Sequence, residues 1–133
     1  MRRTILLLAS MALTLLVASG VALAVTKIGT DGPDTLKGTK GSDQLLGRGG
    51  ADWLDGRPGN DFILGRPGGD ILIDGPFREG AVDTLEGGDG NDILIAINCP
   101  AARDIVSCGA GRDEAYVDRK DIVSDDCERT FYP

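Results

Sequence analysis

Aspartate recurs every nine residues at Asp34, Asp43, Asp52, Asp61 and Asp70, and this period constrains the chain more than any other feature. After two interruptions the same spacing returns between Asp83 and Asp92 and between Asp104 and Asp113. Two positions after these aspartates stand Leu36, Leu45, Leu54, Ile63, Leu72, Leu85, Leu94, Val106 and Ala115, all apolar. Glycine occurs five positions before at Gly29, Gly38, Gly47, Gly56, Gly65 and Gly87, and two before at most of the aspartates. Glycines at fixed offsets let the backbone turn tightly and aim its carbonyls inward. The triplet after each aspartate suits only a very short strand, whose middle residue points one way and its neighbours the other. Such a strand cannot stand alone. Copies that stack bury their middle residues as one apolar ladder, which is the logic of a solenoid.

A low-complexity acidic linker would also be rich in glycine and aspartate, but it has no reason to place an apolar residue in a fixed phase with them. Stacked aspartates repel, so the loops need a partner that takes up negative charge and accepts carbonyl oxygen. Calcium does both, with six to eight oxygen ligands in irregular geometry, whereas magnesium demands a stricter octahedron. The chain has 21 Asp and Glu against 14 Lys and Arg, and no histidine, which also favours hard cations over zinc or copper.

The phrase resembles the RTX, or haemolysin-type, calcium-binding nonapeptide G-G-x-G-x-D-x-U-x. Residues 87–95, GGDGNDILI, match it throughout, and related copies run from 29 to 117. The resemblance implies an all-β fold, a right-handed parallel β-roll in which two nonapeptides make one turn and calcium lies between loops 18 residues apart. Asp34 would then share an ion with Asp52, Asp52 with Asp70, and Asp43 with Asp61. If the interruptions bulge outward, Asp70 continues to Asp92 and Asp113, and Asp61 to Asp83 and Asp104. The expected metal ligands are Asp34, Asp43, Asp52, Asp61, Asp70, Asp92 and Asp113, with Asp83, Asp104, Asp89 and Asp31 as further candidates. Asp31 and Asp89 read equally well as turn formers. The second position of the nonapeptide departs from the family: it is Thr30, Thr39, Arg48, Arg57, Arg66 and Glu79, with glycine only at Gly88 and Gly109. The loops before Asp83 and Asp104 have lost both marker glycines, which puts calcium there in doubt.

Residues 1–24 read as a secretory signal peptide, with Arg2 and Arg3, an apolar stretch and Ala22-Leu23-Ala24 at its end. The alternative is a single retained anchor, since the apolar run approaches the length that spans a bilayer. Cleavage would remove two arginines and move the net charge from −7 to −9, which disfavours nucleic acid and anionic membrane as partners. The expected division is signal peptide 1–24, repeats 25–117 and a C-terminal cap 118–133, in a protein exported to the medium or the cell surface, with no stable membrane insertion once the signal is removed. Export makes a disulfide plausible among Cys99, Cys108 and Cys127. Cys108–Cys127 is the expected pair, locking the cap to the last loop, and Cys99–Cys108 is the competitor. No histidine-dependent triad, G-x-S-x-G elbow or phosphate loop is present, and the paired carboxylates follow the repeat, so no enzyme is expected. Calcium is the expected partner. A second reading is a structural or adhesive solenoid whose outward residues Trp53, Phe62 and Ile71 bind a protein or glycan, or a second copy.

Overall fold

The computed structural model describes residues 23–76 and 80–133. The expected signal peptide lies outside the described residues except for its last two positions. Among the described residues there are twelve short strands and no helix, and so no helix long and apolar enough to cross a membrane. Strands β1 (Thr26–Ile28), β3 (Gln44–Leu46), β5 (Phe62–Leu64), β7 (Thr84–Asp89), β9 (Ile105–Ala110) and β11 (Ile122–Val123) form one sheet in that order. Strands β2 (Thr35–Lys37), β4 (Trp53–Asp55), β6 (Ile71–Ile73), β8 (Ile93–Ala96), β10 (Glu114–Val117) and β12 (Arg129–Phe131) form the other. Each pairing is parallel, and consecutive strands alternate between the sheets. The chain is therefore a parallel β-solenoid of about six turns, consistent with a β-roll.

The middle residue of each triplet faces inward. Leu45, Leu54, Ile63, Leu72, Leu85 and Leu94 are wholly buried, with Leu36 packed against them at one end and Val106, Ala115 and Val117 continuing the core at the other. Burying one such side chain contributes roughly 1.5–3 kcal/mol, so the stack gains stability turn by turn. At the amino-terminal end the middle residue is Lys27, whose ammonium donates to the Lys37 carbonyl. The apolar column thus ends at an exposed, charged residue.

Both interruptions of the nine-residue period are absorbed without loss of register. Leu45 sits opposite Ile63, 18 residues on, while Ile63 sits opposite Leu85, 22 on, and Leu85 opposite Val106, 21 on. The extra residues fall between β6 and β7 and between β8 and β9, consecutive loops on one edge of the roll. Holding register costs less than slipping it, because a slip of one residue would turn the buried face outward.

The segment 118–133 closes the roll by adding β11 to one sheet and β12 to the other. Cys108 and Cys127 are joined by a disulfide, and Cys99 is free and exposed. Tyr116 stacks on Phe131 with ring centroids 4.8 Å apart, and Arg129 reaches Glu114 at 2.7 Å beside them. These exposed contacts are weak individually. Reduction of the disulfide, which spans 19 residues, is expected to remove about 3 kcal/mol of stability and to loosen β11 and β12 first. Denaturant melts with and without reductant, together with amide exchange in 118–133, check both parts.

The outward residues do not form a single apolar face. Trp53 is 45% exposed and lies beside Ile71 on one sheet, whereas Phe62, 41% exposed, lies on the other between Gln44 and Thr84. Residues nine apart occupy opposite sheets, so the expected Trp53, Phe62 and Ile71 surface is split in two.

Candidate metal centre

The loops that join the strands form two edges. One edge carries Asp34, Asp52, Asp70, Asp92 and Asp113; the other carries Asp43, Asp61, Asp83 and Asp104. Along each edge the backbone N–H of an aspartate donates to Oδ1 of the aspartate one turn further on. The distances are 2.8 Å for Asp34 to Asp52, Asp52 to Asp70 and Asp70 to Asp92, and 2.7 Å for Asp92 to Asp113. On the second edge they are 2.7 Å for Asp43 to Asp61, 2.6 Å for Asp61 to Asp83 and 2.8 Å for Asp83 to Asp104. Each carboxylate is thereby fixed in direction by the turn before it, so the ladder exists only when turns stack.

The ladders end in residues that the nine-residue phase does not reach. Asp104 donates to Asp121 Oδ1 at 3.0 Å, and Asp113 donates to Glu128 Oε2 at 2.8 Å. At the other end Val25 donates to Asp43 Oδ1. Asp121 and Glu128 stand 17 and 15 residues after their partners, which hides them from a search at a spacing of 18.

The second carboxylate oxygen separates two kinds of loop. In the first two, a threonine occupies the second position of the repeat and serves the aspartate directly. Thr30 donates from N and from Oγ1 to Asp34 Oδ2, and Thr39 does the same for Asp43. In the later loops Oδ2 of Asp52, Asp70, Asp92 and Asp113 is buried and accepts no hydrogen bond. A buried carboxylate oxygen without a partner costs free energy unless something else coordinates it. Arg48, Arg57 and Arg66 occupy the threonine position there with φ of 74°, 69° and 77°, the same left-handed region as Gly88 and Gly109. Their side chains are exposed, so their charge is carried away from the loop.

The oxygens converge on the first glycine of each loop. A Cβ added to Gly65 would meet Asp70 Oδ2 at 2.5 Å and the Gly87 carbonyl oxygen at 2.6 Å; one added to Gly87 would meet the Cys108 carbonyl oxygen at 2.5 Å and Asp92 Oδ2 at 2.6 Å. Only glycine leaves that space to the oxygens. At Gly68, with φ of 141°, any Cβ would collide with the Gly50 carbonyl of the preceding turn. Carboxylate and carbonyl oxygen from successive turns form a donor set suited to a hard cation of flexible coordination.

Burial raises the titration of ladder carboxylates, and repulsion between neighbours adds to it. Burial, and then the Asp52 carboxylate, push Asp70 up to about 6 against a lowering hydrogen bond from the Asp52 backbone. Burial, with Asp70, Asp113 and Asp89 adding, pushes Asp92 up to about 7. Asp52, Asp104 and Asp113 are raised as well, burial being the main cause in each. Asp126 runs the other way: against burial, hydrogen bonds from Cys108, Ser124, Gly109 and Ser107 hold it below the usual range. Asp31 and Asp89 are exposed, at a loop and at the end of β7, outside the ladders.

A solenoid whose loops present in-register carboxylates and carbonyls is a scaffold for stacked metal ions. The model of the RTX calcium-binding nonapeptide repeat matches this chain in four copies, over residues 28–63 and 80–96. The chain carries RTX calcium-binding repeats, and Ca2+ is the expected ion. No curated protein and no solved structure matches it. The repeat family is structural and not catalytic. Asp70 and Asp113 lie outside the matched residues, yet their hydrogen bonds place them in the same ladder as Asp52 and Asp92.

Proposed function

We propose that this is a secreted calcium-binding β-roll whose folding is completed by extracellular calcium. The observation that supports this most directly is the row of buried, unpartnered Oδ2 atoms at Asp52, Asp70, Asp92 and Asp113, on the edge where every loop but the last begins with glycine. These four aspartates, with the Gly65, Gly87 and Cys108 carbonyls that approach them, would hold the ions; Asp61 is the equivalent residue on the other edge. Calcium bound there supplies positive charge that neither the backbone nor a lysine provides. Asp34 and Asp43 are weaker ligands in this reading, because threonine already satisfies them. The aspartates orient the donor oxygens, and the first glycines keep side-chain carbon out of the space. Because the ladder requires stacked turns, ion binding and folding are one equilibrium. The apolar amino-terminal stretch and the disulfide support export, where calcium is plentiful and thiols are oxidised.

Far-UV circular dichroism during a calcium titration, begun in chelator and with magnesium as control, tests this reading. A cooperative gain of β signal with calcium is the expected result. A full β spectrum in chelator that calcium leaves unchanged would refute calcium-driven folding.

A further inference from the structure

The edge that carries both insertions holds a second carboxylate cluster, built differently from the repeat loops. Asp74 stands where the repeat has its first glycine: Gly56 lies against the Asp74 carbonyl, and the Asp74 N–H donates to the Ile95 carbonyl one turn on. A carboxylate thus replaces a hydrogen at that level of the stack. Oxygens of Asp74, Asp83 and Asp104 all lie within 4.8 Å of one another, and the three residues are 2%, 2% and 0% exposed. Ligands on opposite sides of a calcium ion, at 2.3–2.6 Å each, stand about 4.6–5.2 Å apart, so this spacing suits one shared ion.

Asp104 Oδ2 is buried and accepts no hydrogen bond, while its Oδ1 takes the Asp83 N–H. Asp74 Oδ2 takes the Asn98 amide at 2.8 Å, and Asn98 is itself pinned by donating from its backbone to Asp118 and accepting from Ala102. Asp118 and Asp121 bring further carboxylates from the next turn. Lys120, beside Asp121 in sequence, is exposed and donates to the Ala101 carbonyl instead. Among the described residues neither Asp74 nor Asp104 makes an ion pair.

We propose that Asp74, Asp83 and Asp104 form a side-chain-built site for one hard divalent cation, separate from the glycine loops and located where the repeat pattern is lost. The insertions then have a role: they bring carboxylates together where the loops before Asp83 and Asp104 lack the marker glycines. The site goes beyond the repeat reading and does not depend on the glycine loops binding an ion.

Equilibrium dialysis of the full-length protein and of Asp74→Asn against Ca2+, and separately against Mg2+, with bound metal counted by mass spectrometry, tests it. Asp74→Asn is expected to bind one ion fewer per chain in at least one of the two arms, and the arm that shows the loss identifies the ion. Equal counts for both proteins in both arms would overturn the proposal while leaving the repeat sites standing. A wild-type protein that binds neither metal would overturn both. If Asp74→Asn gives no β spectrum in calcium, crystals of the wild-type protein grown in calcium decide. An anomalous peak bounded by the three carboxylates supports the site, and peaks confined to the glycine loops reject it.

Discussion

Held in chelator, the protein is expected to lose stability as pH rises from about 4 to about 8, the opposite of ordinary acid denaturation. Asp70 and Asp92 are raised from 3.8 to about 6 and about 7, chiefly because they are buried and secondarily because their ladder neighbours carry the same charge. A raised carboxyl binds its proton more tightly in the folded chain than in the unfolded one. Between the two pKa values the folded state therefore holds more protons, and raising the pH favours unfolding. Below pH 4 the penalty is absent; for Asp70 and Asp92 it is complete by about pH 8, and for Asp92 alone it is on the order of 4 kcal/mol. Asp74, pushed up to about 8 by burial and by Asp104, Asp83 and Asp121, extends the window upward. Asp121, raised to about 6 with burial again first, adds to it, while Asp126 opposes it weakly at the acid end. In saturating calcium the slope should reverse, since protons then compete with the ion for the same oxygens. Thermal melts at pH 4.5, 6 and 7.5, in chelator and in calcium, check both slopes. Parallel slopes in the two buffers would show that the ladder carboxylates are not what calcium neutralises.

The second large effect is a substitution whose sign depends on calcium. Asp92→Asn keeps Oδ1 as acceptor for the Asp70 N–H and replaces the bare Oδ2 with an amide. Without calcium this removes a buried charge, relieves repulsion from Asp70, Asp113 and Asp89, and points a donor towards the space shared with the Cys108 carbonyl. Stability in chelator at pH 7.5 is expected to rise by about 1–3 kcal/mol. With calcium the same change removes an anionic ligand, and the calcium midpoint is expected to move up about tenfold or more, about 1.4 kcal/mol for each factor of ten. Melts and calcium titrations of the two proteins side by side give both numbers. Loss of stability in both buffers would mean that Asp92 serves packing and not the ion. At Asp34 and Asp43, Thr30 and Thr39 already supply donors to Oδ2, although the carboxylate keeps its charge.

The parallel stack and its repeat loops were legible because each nonapeptide states its own structure: glycine for the turn, aspartate for the loop, one apolar residue for the core. Continuation of Asp70 to Asp92 and of Asp61 to Asp83 was also legible, since the phase resumes after each insertion. The division of Trp53 and Phe62 between two sheets follows from the 18-residue turn, but it becomes plain only when the strands are paired.

Asp74 carried a signal, a carboxylate nine residues after Gly65, yet its meeting with Asp83 and Asp104 depends on how two insertions fold back. Asp121 and Glu128 gave none, because loops that end a stack are free of the period. The amino-acid sequence thus determined the solenoid and the ion chemistry of its loops, which are repeated local properties and add in phase. The tertiary structure alone decided which carboxylate oxygens are satisfied by threonine, which are left bare, and which gather at the insertions. Those outcomes depend on contacts between turns, whose spacing is set by backbone pairing and not by distance along the chain.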